Sequence, residues 1–107
     1  MNREKCRRAT EILASLDSSL ADGGEKGAAP VAREAIAAAT HALGDETASW
    51  KASDYALARA HAKLARLIGY GDLELTETAR AAWRDLEDFV YGEARDDLRG
   101  VGGPNLG

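Results

Sequence analysis

Few side chains in this sequence have the types and spacing that a metal or acid–base site requires. It contains two histidines, His41 and His61, and His61 has no His, Cys or carboxylate three or four residues away. Neither the Glu-x-x-His pair of di-iron bundles nor the His-Glu-x-x-His string of zinc proteases occurs. His61 falls on an apolar helical stripe, so we expect a largely buried histidine bonded to a neighbour and no metal centre.

The single cysteine and the remaining nucleophiles give no clearer sign of catalysis. Cys6 is flanked by basic residues but lies on an apolar helix face, where a cysteine usually packs as a small hydrophobe. No glycine-rich phosphate loop and no Gly-x-Ser-x-Gly elbow is present. We therefore expect no catalytic residues, no cofactor and no enzymatic activity.

Basic and aromatic side chains recur at helical spacing in one stretch of the chain. This stripe fits a protein interface, where Tyr and Arg are common hot spots, and equally a nucleic-acid backbone contact. A solvated face, neutralised by acidic residues of the fourth helix such as Asp85, Glu87, Asp88, Asp96 and Asp97, is the simplest alternative. The residues of the stripe are Tyr55, Arg59, Lys63, Arg66 and Tyr70.

Two further groups of residues extend these hypotheses. Arg84, Tyr91 and Arg95 add Arg and Tyr side chains on the fourth helix to the candidate partner-binding set. The nucleic-acid alternative also uses the basic start of the first helix, whose charges oppose the helix dipole and are expected to be solvated. That start comprises Arg3, Lys5, Arg7 and Arg8.

Apolar periodicity predicts four helices that would position these residues. Leu57, His61, Leu64 and Ile68 follow a helical period, and similar stripes occur before and after them. Ser53 and Thr76 are candidate N-caps of helices three and four, and Gly92 should interrupt helix four. We predict helices over 3–21, 30–43, 53–68 and 76–98, packed as an antiparallel four-helix bundle in one domain (1–99), with a flexible glycine-rich tail at 100–107.

Composition predicts a thin core. Alanine accounts for 22 of the 107 residues, and the larger Leu, Ile, Val, Phe, Trp and Met side chains together account for another 22. Alanine favours helix but buries little apolar area, so the folded chain gains little burial energy per helix. Association with a partner protein or with a second copy as a homodimer would add to that burial.

Charge and hydropathy narrow the expected class of protein. The formal net charge is −4, which does not favour binding dominated by a polyanion. One cysteine rules out an intramolecular disulfide, and no apolar run approaches the length of a membrane helix. We expect a cytoplasmic, non-enzymatic adaptor, inhibitor or complex subunit that binds a protein partner without contacting a membrane; the alternative is a nucleic-acid-associated module.

Overall fold

Helices are the only regular secondary structure in the part of the chain that the computed structural model describes, which is residues 1–23, 27–47 and 49–99. No strand occurs in these ranges, so the all-α prediction is confirmed. The predicted flexible tail at 100–107 lies outside the described residues. The elements are α1 (Arg3–Asp22), α2 (Ala29–Gly44), α3 (Trp50–Gly69), α4 (Glu77–Asp88), a π-helical turn (Phe89–Glu93) and α5 (Arg95–Leu98).

The N-caps explain where α3 and α4 begin. Thr76 caps α4 as predicted, because its hydroxyl oxygen accepts a hydrogen bond from the backbone N–H of Ala79 at 3.1 Å. The predicted Ser53 cap of α3 is wrong. Ser49 caps the helix instead, accepting from the N–H of Ala52 at 3.3 Å, and Ser53 is buried one turn inside. The earlier start adds a turn of backbone hydrogen bonds to the helix.

The predicted fourth helix is not continuous. Regular α-helix ends at Asp88, and the N–H of Ala94 then donates to the carbonyl of Phe89 at 2.9 Å, the five-residue spacing of a π turn. Gly92 lies inside this turn, so the predicted interruption at Gly92 is confirmed. The extra residue changes the phase of the helix. Phe89, Val90, Ala94 and Leu98 all face the core as a result.

The core is built around close approach of α2 to its two neighbours. α2 packs against both α1 and α3, and its inward face carries Ala32, Ile36, Ala39 and Leu43. Ala32 has no exposed surface and Ala39 is 2% exposed. Two alanines on the buried face let the neighbouring helices come close. The rest of the core comes from leucines of α1 and α3 and from the inward face of α4 and the π turn.

The loops and helix ends meet at two ends of the molecule. At one end the N–H of Ala28 donates to the carbonyl of Asp72 at 3.1 Å, which joins the α1–α2 and α3–α4 connections. Gly27 has φ +56°, and a Cβ there would lie 2.9 Å from the same carbonyl oxygen, so this contact requires glycine. At the other end Arg3 pairs with Glu46 of the α2–α3 connection.

Replacing Ala32 by leucine tests this close approach. The added side chain has no space between α2 and its neighbours, so we expect the free energy of unfolding to fall by about 1–3 kcal/mol. Urea denaturation followed by circular dichroism measures the change. Ala37→Leu is the matched control, because Ala37 is exposed on the same helix. Equal stability of the two variants would contradict the packing described here.

Candidate partner-binding surface

Five residues of the predicted set lie together on the outer face of α3. Tyr55, Arg59, Lys63, Arg66 and Tyr70 are all exposed, and this group is called the α3 face below. Tyr55 is 46% exposed and Tyr70 is 77% exposed. At 1.5 Å per residue, the face runs about 22 Å from one tyrosine to the other.

The three cations of the α3 face have no acidic partner among the described residues. No carboxylate of the described chain lies within 4.0 Å of Arg59, Lys63 or Arg66. The pairing with acidic residues of the fourth helix that would neutralise this face is therefore absent, and the solvated face stays an alternative. Two of those acids pair elsewhere: Glu87 contacts His61, and Asp97 contacts Lys5.

The basic start of α1 shows the opposite arrangement. Its four cations were expected to be solvated, and the side chains of Arg3 and Arg7 are 77% and 67% exposed, but each of the four also lies in an ion pair. The hydrogen bond to Asp97, at 2.7 Å, raises the pKa of Lys5 above its usual range. A cation that already has a carboxylate partner contributes less to an incoming polyanion. The pairs are Arg3 with Glu46, Lys5 with Asp97, Arg7 with Glu4 and Glu11, and Arg8 with Glu4 and Glu93.

A shallow groove between α2 and α3 adjoins the α3 face. Its volume is about 450 Å³, and small side chains of both helices form its floor. Arg59 and Lys63 lie along its α3 side, and Glu34 is the acidic residue that lines it from α2. The floor consists of Val31, Ala35, Ala38, Ala39 and Ala42 from α2 with Ala56 and Ala60 from α3.

The other three predicted partner-binding residues lie apart from the α3 face. Arg84 is exposed on α4, and Arg95 is exposed on α5. Tyr91 is 65% exposed in the π turn, and its ring meets the ring of His61 edge-on at 5.4 Å. The structure therefore divides the predicted set into the α3 face and three residues of α4, the π turn and α5.

His61 joins α3 to α4 rather than facing solvent. Its ring stacks on the ring of Trp83 with centroids 5.3 Å apart and an interplanar angle of 8°. Its Nε2 lies 3.1 Å from the carboxylate of Glu87, and the residue is only 9% exposed. The prediction of a largely buried histidine bonded to a neighbour is confirmed.

Sequence reasoning missed the buried carboxylate of Asp54. Its Oδ1 lies 2.6 Å from the α-ammonium group of Met1, and both groups are buried. In the sequence Asp54 directly follows the predicted Ser53 cap, a position where a carboxylate would only stabilise the first turn of the helix. The signal was available, because Asp54 precedes Leu57 and His61 on the same apolar stripe, where a carboxylate must find a partner.

The described residues contain no group of three or more His, Cys, Asp or Glu side chains that could hold a metal ion. Cys6 is half-buried, with its Sγ 3.9 Å from the carbonyl oxygen of Met1. None of the described helices has the length and apolar character needed to cross a bilayer.

No protein-family model matches the chain, and no curated protein or solved structure shows significant similarity to it.

Replacing His61 by glutamine tests the contact between α3 and α4. The change removes the stack on Trp83 and alters the bond to Glu87, so we expect the free energy of unfolding to fall by about 1–3 kcal/mol. His41→Gln is the matched control, because His41 is exposed on α2 and should change stability by less than about 0.5 kcal/mol. Urea denaturation by circular dichroism measures both. Equal effects would contradict a structural role for His61.

Proposed function

We propose that this protein is a non-enzymatic helical binding module that acts through a protein partner. In this role it is an adaptor, an inhibitor or a small subunit of a larger complex. The α3 face makes the first contact with the partner, and no catalytic step is involved. Arg84, Tyr91 and Arg95 form a second, separate part of the proposed contact.

The observation that carries this proposal is the difference between the two basic regions. The cations of α1 are paired with carboxylates, whereas Arg59, Lys63 and Arg66 have no such partner in the described chain. Exposed tyrosines stand at both ends of the unpaired cations. Exposed Tyr and Arg are the side chains that most often contribute strongly to protein interfaces.

A protein partner fits this surface better than a nucleic acid does. The basic start of α1, on which the nucleic-acid alternative also depends, is already paired with carboxylates. The α2–α3 groove beside the α3 face is floored by apolar side chains, which offer nothing to phosphates but do suit apolar side chains of a protein. The net charge of −4 also opposes long-range attraction of a polyanion.

We further propose an antiparallel four-helix arrangement as the scaffold of this module. The contact between Ala28 and Asp72 at one end and the pair between Arg3 and Glu46 at the other support alternating helix directions. In this scaffold α4, the π turn and α5 together serve as the fourth helix. A cytoplasmic location remains our expectation.

Reversing two charges on the α3 face tests the proposal. We expect Arg59→Glu/Arg66→Glu to weaken binding of partner proteins at least tenfold, because Arg is enriched among interface hot spots, whose loss costs about 2 kcal/mol or more, and a tenfold change corresponds to about 1.4 kcal/mol. Immobilised wild-type chain and the variant are compared by quantitative mass spectrometry of the proteins that each retains from a cell extract. Helicity by circular dichroism should be unchanged, since both residues are exposed.

The control for that comparison is Arg80→Glu/Arg99→Glu. Both residues are exposed and outside the α3 face, and this variant has the same formal net charge, −8, because each Arg→Glu change lowers the wild-type charge of −4 by two. It should retain the partners that the wild type retains. Equal retention by all three proteins would remove the α3 face from consideration.

A titration against nucleic acids tests the alternative. We expect no binding of short single- or double-stranded DNA or RNA by fluorescence anisotropy, even at about 50 mM salt, where surface charges are screened less than at physiological ionic strength. A nucleic-acid module using Arg59, Lys63 and Arg66 would instead bind at low salt and weaken about 40-fold between 50 and 200 mM salt, from about three phosphate contacts. That result would replace the protein-partner proposal.

A further inference from the structure

The α2–α3 groove has a shape that can accommodate another helix. Val31, Ala35, Ala38 and Ala42 repeat at intervals of four, three and four residues along α2, so they form a straight row about 16 Å long. A floor of small side chains lets the backbone of another helix approach closely. Val31 is 42% exposed, although valine usually packs inside a protein.

The charges on the two sides of the groove are unequal. Arg59 and Lys63 line the α3 side, and Arg66 continues the same row one turn further along. Glu34 is the acidic residue among those that line the groove. A local excess of positive charge therefore flanks an apolar floor, on a chain whose overall charge is −4. Carboxylates on a partner would complement this local excess at close range.

Exposed large side chains are concentrated on the same side of the molecule. Within the described ranges, the exposed large hydrophobic residues are Val31, Tyr55, Tyr70 and Tyr91. Val31 lies in the groove, and Tyr55 and Tyr70 lie at the ends of the α3 face that borders it. A partner seated in the groove would cover Val31 and could reach both of these tyrosines.

From this combination we infer that the α2–α3 groove docks an acidic amphipathic α-helix of the partner protein. Apolar residues of that helix, three or four positions apart, rest on the alanine floor, and its Asp or Glu side chains face Arg59, Lys63 and Arg66. This is the helix-in-groove form of recognition. The inference rests on the proposed function and specifies the chemistry of the partner.

A pair of synthetic peptides tests the inference on the full chain. The probe is an N-acetylated, C-amidated peptide of about 20 residues, long enough to form helix, with Leu and Ala on one face and Glu along both flanks. The comparison peptide has Lys in place of every Glu. We expect the Glu peptide to bind at least tenfold more tightly than the Lys peptide by fluorescence anisotropy.

Variants of the groove separate charge from shape. Arg59→Glu/Lys63→Glu should weaken binding of the Glu peptide at least tenfold, while Arg80→Glu/Arg99→Glu, with the same net charge, should not. Ala38→Gln should weaken binding by placing a polar side chain on the floor, while Ala37→Gln, on the same helix but outside the groove, should leave it unchanged. Circular dichroism confirms that each variant is folded.

Four results would overturn the inference. The first two are no binding of the Glu peptide at about 1 mM, the weakest affinity worth assigning to a docking site, and equal binding of the Lys peptide. The third is a dimer in analytical ultracentrifugation that Ala38→Gln dissociates, which would assign the groove to a second copy. The fourth is DNA binding that Arg59→Glu/Lys63→Glu abolishes. If the peptide fails but Arg59→Glu/Arg66→Glu still loses protein partners, only the chemistry of the partner is wrong. If both tests fail, the proposed function fails too.

Discussion

The close approach of α2 to α1 and α3 is the constraint on which the rest of the structure depends. It is achieved by alanines, because Ala32 and Ala39 on the buried face of α2 leave no space for larger side chains. Alanine also occupies the groove-lining side of α2, at Ala35, Ala38 and Ala42. One compositional choice therefore produces both a thin core and a shallow apolar groove. Alanine buries little apolar area, which limits stability, and on the outer side of α2 it leaves an apolar surface that another helix can contact.

Larger side chains hold the other side of the molecule together. α3 meets α4 through the stacked rings of His61 and Trp83, with Glu87 bonded to the imidazole and Tyr91 against its edge. The π turn that follows brings Phe89, Val90, Ala94 and Leu98 onto the core. These contacts use the titratable residues of this region for packing. His61 therefore has a packing role at the contact between α3 and α4.

The charges of the chain fall into two groups that composition does not distinguish. The basic residues at the start of α1 are matched with Glu46, Glu11, Glu93 and Asp97, and the last two of these come from the far end of the described chain. Arg59, Lys63 and Arg66 of α3 have no described carboxylate within 4.0 Å. Because surface ion pairs contribute little to stability, the pairing matters chiefly for which cations are left for a partner. Because Arg59, Lys63 and Arg66 have no carboxylate partner in the described chain, the α3 face is the better candidate for an interface.

The sequence by itself determined the helical class, the buried stripes and the exposure of the α3 face, because these follow from periodicity. It also determined the Thr76 cap and the break near Gly92, because these follow from the chemistry of a few adjacent residues. It misplaced the start of α3, because Ser49 and Ser53 are equivalent caps until tertiary packing buries one of them. Only the tertiary structure decided that Asp54 pairs with the α-ammonium group of Met1, that the α1 cations are paired, and that α2 and α3 enclose a groove beside unpaired cations. These are contacts between residues far apart in sequence, and no local pattern records which carboxylate folding will bring to which cation.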